Sequence, residues 1–280
     1  MTSNNRVLQQ LSLPCLIPTG LQLALSRTAK LPAELAALDI MNDVTKKKPD
    51  LFLGFYFDVY RGEREEFEAL LTNCIKTWYG LNNDNLVPLL GISMAFGSFP
   101  AMITSWMSNG THWPALKLPL TEYMKSGEDY NKMQLIVGVG NGVEYLHSQN
   151  IIHSDIQAAS VLVDELSVVE KGPLADAGSN AEYRWMAPEL LSNQDAKTTF
   201  ATDVYAFTMT SWIWMKAAHF ADVSEALVPR LILQNQRPSR PAYVEDTLWT
   251  LWNEGWNQDF MERPNMKSYF SCLVGISMAY

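Results

Sequence analysis

The chain has 280 residues, a formal net charge of −9 at pH 7, and hydrophobic residues at 48% of its positions. This length can bury a large core, either as one two-lobed domain or as two small domains. Nine Trp and eleven Phe favour packed structure over disorder. The acidic balance argues against a nucleic-acid-binding protein, because that function needs a basic face.

The cysteines and the apolar segments indicate the compartment. Cys15, Cys74 and Cys272 lie far apart and give neither a disulfide framework nor a zinc-ligand spacing, so we expect an intracellular, cytoplasmic setting. No basic segment followed by an apolar one opens the chain, so we expect no signal peptide. The apolar stretch 206–220 is interrupted by polar residues and is too short to span a bilayer. It predicts a buried helix and no membrane span.

The N-terminal part of the sequence differs in character from the rest. Residues 1–48 are predicted to form a separate extension, with a helix inside 31–44, where apolar residues have helical spacing. The polar segment 45–50 (TKKKPD) is interpreted as a solvated linker.

The next segment predicts a small sheet with one helix. Residues 51–63 are rich in aromatic and β-branched residues around two glycines, which is typical of a strand, a turn and a strand. Residues 63–81 have helical periodicity along one apolar face. Short apolar runs at 86–96 and 100–107 predict two further strands.

The second half of the sequence is predicted to be mainly helical. Residues 130–150 form an amphipathic helix by their spacing, and the polar loop and short strand of "IIHSDIQAASVLVDE" (151–165) follow. From about residue 187 onward the pattern indicates helices and loops. Strands with one helix, followed by mostly helices, predict an α+β fold of two lobes.

Five motifs occur in one order that is specific to a known family. They are HSD (153–155), DAG (176–178), RWMAPELL (184–191), DVYAF (203–207) and ERP (262–264). Protein kinases carry H-R-D, D-F-G, A-P-E, D-x-[WY]-[SA]-[FL] and a late Arg in the same order. The chain resembles the tyrosine-kinase-like group of that family over about residues 50–280.

The resemblance implies a two-lobed protein-kinase-like fold over 49–280. Its small lobe would cover about 49–107 and its large lobe about 108–280. It also implies that Glu189 pairs with Arg263 and that Asp203 holds the backbone of the catalytic loop. Both contacts would support the fold and say nothing about activity.

The resemblance also implies catalytic and metal-binding roles. Asp155 takes the place of the H-R-D base, which accepts the proton of the substrate hydroxyl. Asp176 takes the place of the Mg²⁺ ligand of D-F-G, and Ser160 stands where an Asn would be the second ligand. Asp155 and Asp176 are expected to face a common cleft.

A vestigial nucleotide pocket follows from the same comparison. Gly54 belongs to a glycine-rich loop whose middle Gly is replaced by Phe57, which keeps backbone N–H groups further from phosphates. Thr104 matches the small residue at the back of the pocket. Ser105 and Met107 match the hinge that meets an adenine.

Several positions depart from the active pattern. Gln157 replaces the Lys of D-L-K, although DIQAAS (155–160) resembles the tyrosine-kinase loop D-L-R-A-A-N, in which that cation is already displaced and only the final Asn is expected. Ser154 replaces the Arg of H-R-D, and Ala177 replaces the Phe of D-F-G. The strand that would carry the ATP-binding Lys is absent from the sequence after 62, and Cys74 stands where the helix Glu is expected. The small lobe is therefore predicted to be truncated by one strand.

These departures favour a pseudokinase that acts as a binding or scaffolding module in signalling, with a protein partner and at most weak binding of ATP and Mg²⁺. The alternative is an ATP-dependent protein kinase, Ser/Thr or Tyr, of low or unusual activity on a protein substrate, since Asp155 and Asp176 are retained. A third explanation is a gene model that skipped a segment at residues 60–66.

Overall fold

The computed structural model describes residues 9–11, 33–38, 64–93, 101–104, 132–157, 160–163, 181–193, 195–216 and 223–279. Strands predicted within 51–63 lie outside these residues, as does the predicted boundary at residue 48. The prediction that the small lobe lacks one strand therefore stays a prediction.

One helix and one strand pair form the described part of the predicted small lobe. Helix α1 (Arg64–Tyr79) packs against strand β2 (Leu89–Ser93), which pairs antiparallel with β3 (Ala101–Thr104). The indole N–H of Trp78, a buried residue of α1, donates to the carbonyl oxygen of Val87 at 2.7 Å. This bond fixes the end of α1 beside the chain that enters β2. The bounds of α1, β2 and β3 confirm the predictions of a helix within 63–81 and of strands within 86–96 and 100–107.

Helix α2 (Lys132–Ser148) and helix α4 (Phe200–Lys216) form the centre of the large-lobe core. The predicted apolar stripe of α2 is buried, at Leu135, Val139, Val143 and Leu146. Gly140 lets α2 approach its neighbours closely, because a Cβ there would lie 3.0 Å from Phe270 and 3.1 Å from Phe207. The stretch 206–220, predicted to be a buried helix, is helical and buried as far as Met215, and its residues 217–220 lie outside the described ranges.

The remaining helices surround that centre. They are α3 (Pro188–Ser192), α5 (Val228–Leu233), α6 (Asp246–Gly255) and α7 (Met266–Ser277), with 3₁₀ turns at Ala181–Arg184, Glu225–Leu227 and Phe260–Glu262. Helix α7 begins where the Asn265 side chain accepts a hydrogen bond from Ser268 N at 2.9 Å, which satisfies an N-terminal amide. Helix α7 packs on α2 and α6. None of the helices within the described ranges has the length and apolarity that a membrane crossing requires.

Two short N-terminal pieces contact this domain. Strand β1 (Gln9–Leu11) pairs antiparallel with β4 (Val161–Val163), with Gln10 opposite Leu162. A 3₁₀ helix at Ala33–Leu38 packs against α1 and buries Leu35 completely. The helix predicted within 31–44 is thus a 3₁₀ helix over its described part.

Candidate active site

The loop that carries Asp155 connects the end of α2 to β4. Asn150 has a φ of 58°, in the left-handed region that Asn tolerates better than most residues, and Ile151 N donates back to Leu146 O at 2.9 Å. The chain therefore reverses sharply after α2. This reversal directs residues 151–157 back across the N-terminal end of α4.

Asp203 of α4 holds the backbone of this loop. One carboxylate oxygen accepts from His153 N at 2.7 Å, and the other accepts from Ser154 N at 2.9 Å. His147 Nε2 of α2 lies 2.9 Å from the first of these oxygens. Ser154 has a φ of 69°, and its hydroxyl lies 2.8 Å from the hydroxyl of Thr198. The predicted role of Asp203 is confirmed, and the unusual backbone at Ser154 is held by interactions on both sides.

The Asp155 carboxylate is engaged by side chains of its own loop. The Gln157 amide donates to one oxygen at 2.6 Å, and the Ser160 hydroxyl donates to the other at 3.2 Å. Asp155 N donates to Nδ1 of His153 at 3.3 Å, and His153 is fully buried, as expected of a residue that packs beneath the loop. The carboxylate thus has a defined orientation, with a neutral amide on the side where kinases of this pattern carry a Lys.

Oxygen donors for a metal are few among the described residues. Ser160, the described one of the two predicted Mg²⁺ ligands, has a hydroxyl oxygen of the hard type that Mg²⁺ accepts, and it lies beside the Asp155 carboxylate. No group of three or more His, Cys, Asp or Glu side chains suited to a metal occurs within the described ranges. Asp176 lies outside them, so the expected second carboxylate and the common cleft stay predictions.

The structure brings together only part of the predicted site. Asp155 and Ser160 are adjacent, and Thr104 is a partly buried residue at the end of β3. Gly54, Ser105 and Met107 lie outside the described residues. Their assignment to a nucleotide pocket stays a prediction.

Helix α1 carries the position at which the Glu of the small-lobe ion pair is expected. Cys74 lies one turn before the buried Trp78 and is partly buried. Lys76, the first Lys after residue 51, forms an ion pair with Glu34 of the N-terminal 3₁₀ helix. That pair lies on the surface, with side-chain exposures of 47% for Lys76 and 65% for Glu34.

A buried ion pair joins two distant parts of the large lobe, as the motifs predicted. Arg263 Nη1 and Nη2 donate to the two carboxylate oxygens of Glu189 at 2.7 and 2.8 Å. The same guanidinium donates to the carbonyl oxygens of Ala201 at 3.0 Å and Asn257 at 2.9 Å. Its carbon lies 5.0 Å from the ring centre of Tyr205. Predicted from motif order alone, this pair is confirmed.

Sequence reasoning missed a second arginine at this place. Arg237 lies 5.5 Å from the ring centre of Tyr205 and donates to the carbonyl oxygen of Trp256 at 3.0 Å. Burial raises the pKa of the Tyr205 hydroxyl and lowers the pKa of Arg237. The only signal in the sequence was the Arg-Pro step at 237–238, which no spacing rule connects to the Tyr of DVYAF.

The comparisons with known proteins agree with this arrangement. Two contacts are characteristic of a protein-kinase-like domain. The Glu of A-P-E pairs with a late Arg, and an Asp of the central helix accepts hydrogen bonds from the backbone of the H-R-D loop. The family model described as "protein tyrosine and serine/threonine kinase" matches residues 60–273. The chain belongs to the protein kinase family.

Several curated proteins share moderate sequence identity with the chain. It is 27% identical over 205 residues to the serine/threonine/tyrosine-protein kinase HT1 of Arabidopsis thaliana, which is 64% of this chain and 47% of that protein. It is 24% identical over 255 residues to the tyrosine-protein kinase RYK of Homo sapiens, which is 82% of this chain and 41% of that protein.

A viral protein is similar to a comparable degree. The putative serine/threonine-protein kinase/receptor R826 of Acanthamoeba polyphaga mimivirus is 24% identical over 266 residues, which is 84% of this chain and 15% of that protein. The chain therefore spans less than half the length of each of these three relatives.

Proposed function

We propose that this chain is a pseudokinase, a kinase-like domain with a truncated small lobe that serves as a binding or scaffolding module for a protein partner. The observation that carries the proposal is the pair of neutral side chains on Asp155. Gln157 and Ser160 stand where a Lys and an Asn are expected, and both donate to the carboxylate. An intracellular, signalling role is part of the same proposal and rests on the family and on the cysteine pattern.

Loss of the cation beside Asp155 has a direct chemical consequence. In phosphoryl transfer the catalyst acts almost entirely by positioning and by stabilising charge on the transferred group. A neutral amide held at 2.6 Å on Asp155 offers no positive charge to that group. Removing one preorganised charge-stabilising group from an active site commonly lowers the rate by about 10²- to 10³-fold.

The small lobe adds a second deficit. The helix position one turn before Trp78 is Cys74, a side chain that cannot form the ion pair which orders ATP in kinases. No Lys occurs between residues 51 and 75 to serve as its partner. Both losses affect the binding and orientation of the same triphosphate, and together they favour negligible transfer over slow transfer.

Mg²⁺ and ATP would bind weakly at best under this proposal. Ser160 and Asp176 would be the metal ligands, and the Ser160 hydroxyl already donates to Asp155. A bound metal would neutralise phosphate charge, which is its ordinary role in this family. The chain's own residues would orient the metal but leave the triphosphate without an orienting cation.

One observation favours the alternative of an active kinase of low activity. Asp155 follows directly on His153 and Ser154, whose backbone N–H groups both donate to the Asp203 carboxylate, so the backbone at the proposed base position is held on both amides before it. Ordering of this kind is equally required by a fold that only binds partners. The two functions are separated by nucleotide binding, because an active kinase must bind Mg·ATP.

The test measures the thermal unfolding midpoint of the chain with and without millimolar Mg·ATP. A ligand present at 100 times its Kd stabilises the folded state by about 2.7 kcal/mol. We expect no shift for the natural chain. A matched variant, Gln157→Lys with Ser160→Asn, restores the expected side chains and separates the loop deficit from the small-lobe deficit. A large shift for the natural chain would contradict the proposal.

A further inference from the structure

Helix α1 lacks the means by which kinases usually hold this element in position. In that family a strand Lys and a helix Glu form the ion pair that positions the helix. Here the helix position is Cys74, and the segment 51–75 contains no Lys. Other contacts must therefore hold α1, and the hydrogen bond from Trp78 to Val87 is one of them, at the C-terminal end of the helix.

The N-terminal 3₁₀ helix (Ala33–Leu38) supplies a further contact with α1. Residues 33–38 pack against α1, and Leu35 has an exposed fraction of 0%, whereas Ala36 and Ala37 beside it are exposed. Glu34 forms the ion pair with Lys76 of α1. One buried apolar anchor and one opposite charge thus define both the position and the register of the contact.

The same N-terminal segment is anchored at a second place. Strand β1 pairs with β4 through Gln9 opposite Val163 and Leu11 opposite Val161. Strand β4 begins directly after Ser160, whose hydroxyl donates to Asp155. Residues 9–11 thus contact β4, and residues 33–38 contact α1.

We propose that residues 33–38 are a tether that holds α1 in position, in the place of the lysine–glutamate pair of kinases. The tether is a contact made by the chain itself, and its detachment is expected to release α1. This inference goes beyond the proposed function, because it concerns what sets the position of α1 and not whether phosphate is transferred.

The test compares hydrogen exchange of the α1 amides at 72–79 in full-length variants, with the amides of α4 as an internal reference. Leu35→Asp removes the anchor, and Ala36→Asp places the same charge on the adjacent exposed residue. We expect about a tenfold to hundredfold loss of α1 protection in Leu35→Asp, as the burial of one Leu side chain implies. Protection of α1 in Ala36→Asp and of α4 in both variants should stay within about twofold of the natural chain.

A charge exchange tests the tether without touching the core. Glu34→Lys should lower α1 protection by about twofold to fivefold, in the range of an exposed ion pair, and adding Lys76→Glu should restore it. Unchanged α1 protection in Leu35→Asp would overturn the proposal. So would an equal loss of protection in α4, or a failure of the double exchange to restore α1. No nucleotide enters these measurements, so the tether and the pseudokinase proposal stand or fall separately.

Discussion

The buried Glu189–Arg263 pair predicts a large and asymmetric loss of stability when one partner is changed. Glu189→Gln keeps the side-chain volume and removes the charge, which leaves a guanidinium with 0% exposure facing a neutral amide. Breaking a buried pair from one side costs about 3–5 kcal/mol in the free energy of unfolding. Glu189 is 21% exposed, so water can replace part of the interaction, and we expect about 3 kcal/mol.

The arginine side of the pair should cost more. Arg263→Met removes the two bonds to Glu189 and also those to the carbonyl oxygens of Ala201 and Asn257, so we expect about 4 kcal/mol. The double variant should cost less than the sum of the two, because each single change leaves the other partner unpaired.

Urea denaturation of the four chains measures these differences through the midpoint at constant slope. Asp246→Asn is the matched control, since it breaks the exposed Arg240–Asp246 pair and should cost less than about 1 kcal/mol. If Glu189→Gln cost no more than the control, the assignment of Glu189–Arg263 as a buried structural pair would be refuted.

Three further predictions concern the large lobe. A Cβ at Gly255 would lie 2.5 Å from the Tyr269 ring, so Gly255→Ala should destabilise the fold by about 1–3 kcal/mol in urea denaturation, whereas Gly275→Ala, which meets open space in a helix, should be neutral or stabilising. Burial raises the pKa of the Tyr269 hydroxyl, so the unfolded chain loses this proton at a lower pH than the folded chain does. The free energy of unfolding should therefore fall as pH rises above about 10. Tyr269→Phe should flatten that part of the stability–pH curve, and an unchanged slope would contradict this reasoning. Asp203→Ala should raise amide hydrogen exchange at residues 153 and 154 by more than about tenfold, since both amides lose their acceptor, and retained protection would show that another group holds the loop.

The periodicity of apolar residues predicted the long helices, because the buried face of a helix is formed by residues three and four positions apart. The spacing of apolar residues in 130–150 predicted the buried stripe of α2, because a 3.6-residue period over that length indicates an amphipathic helix. The contacts of Asp203 and of Glu189 with Arg263 were predictable for a different reason. Motif order fixes them through the family fold, and they were confirmed at hydrogen-bond distance.

Contacts made by short or remote segments could not be predicted in this way. Strand β1 has three residues, which is too few to show a period, and its partner β4 lies about 150 positions away. The ion pair of Glu34 with Lys76 depends on where a 3₁₀ helix lies in space, which no spacing records. The hydrogen bond from Gln157 to Asp155 depends on side-chain rotamers, so the sequence showed the lost cation but not the amide that replaces it on the carboxylate.

The central claim is that this chain does not transfer phosphate from ATP, and phosphoryl transfer can be measured directly. The natural chain and Asp155→Asn are incubated with Mg²⁺ and radiolabelled ATP, with a general protein substrate and with the chain itself as acceptor. Equal unfolding midpoints for the two chains show that both are folded. We expect no transfer by either chain. Transfer by the natural chain that Asp155→Asn abolishes would contradict the central claim, and would make this protein a working kinase.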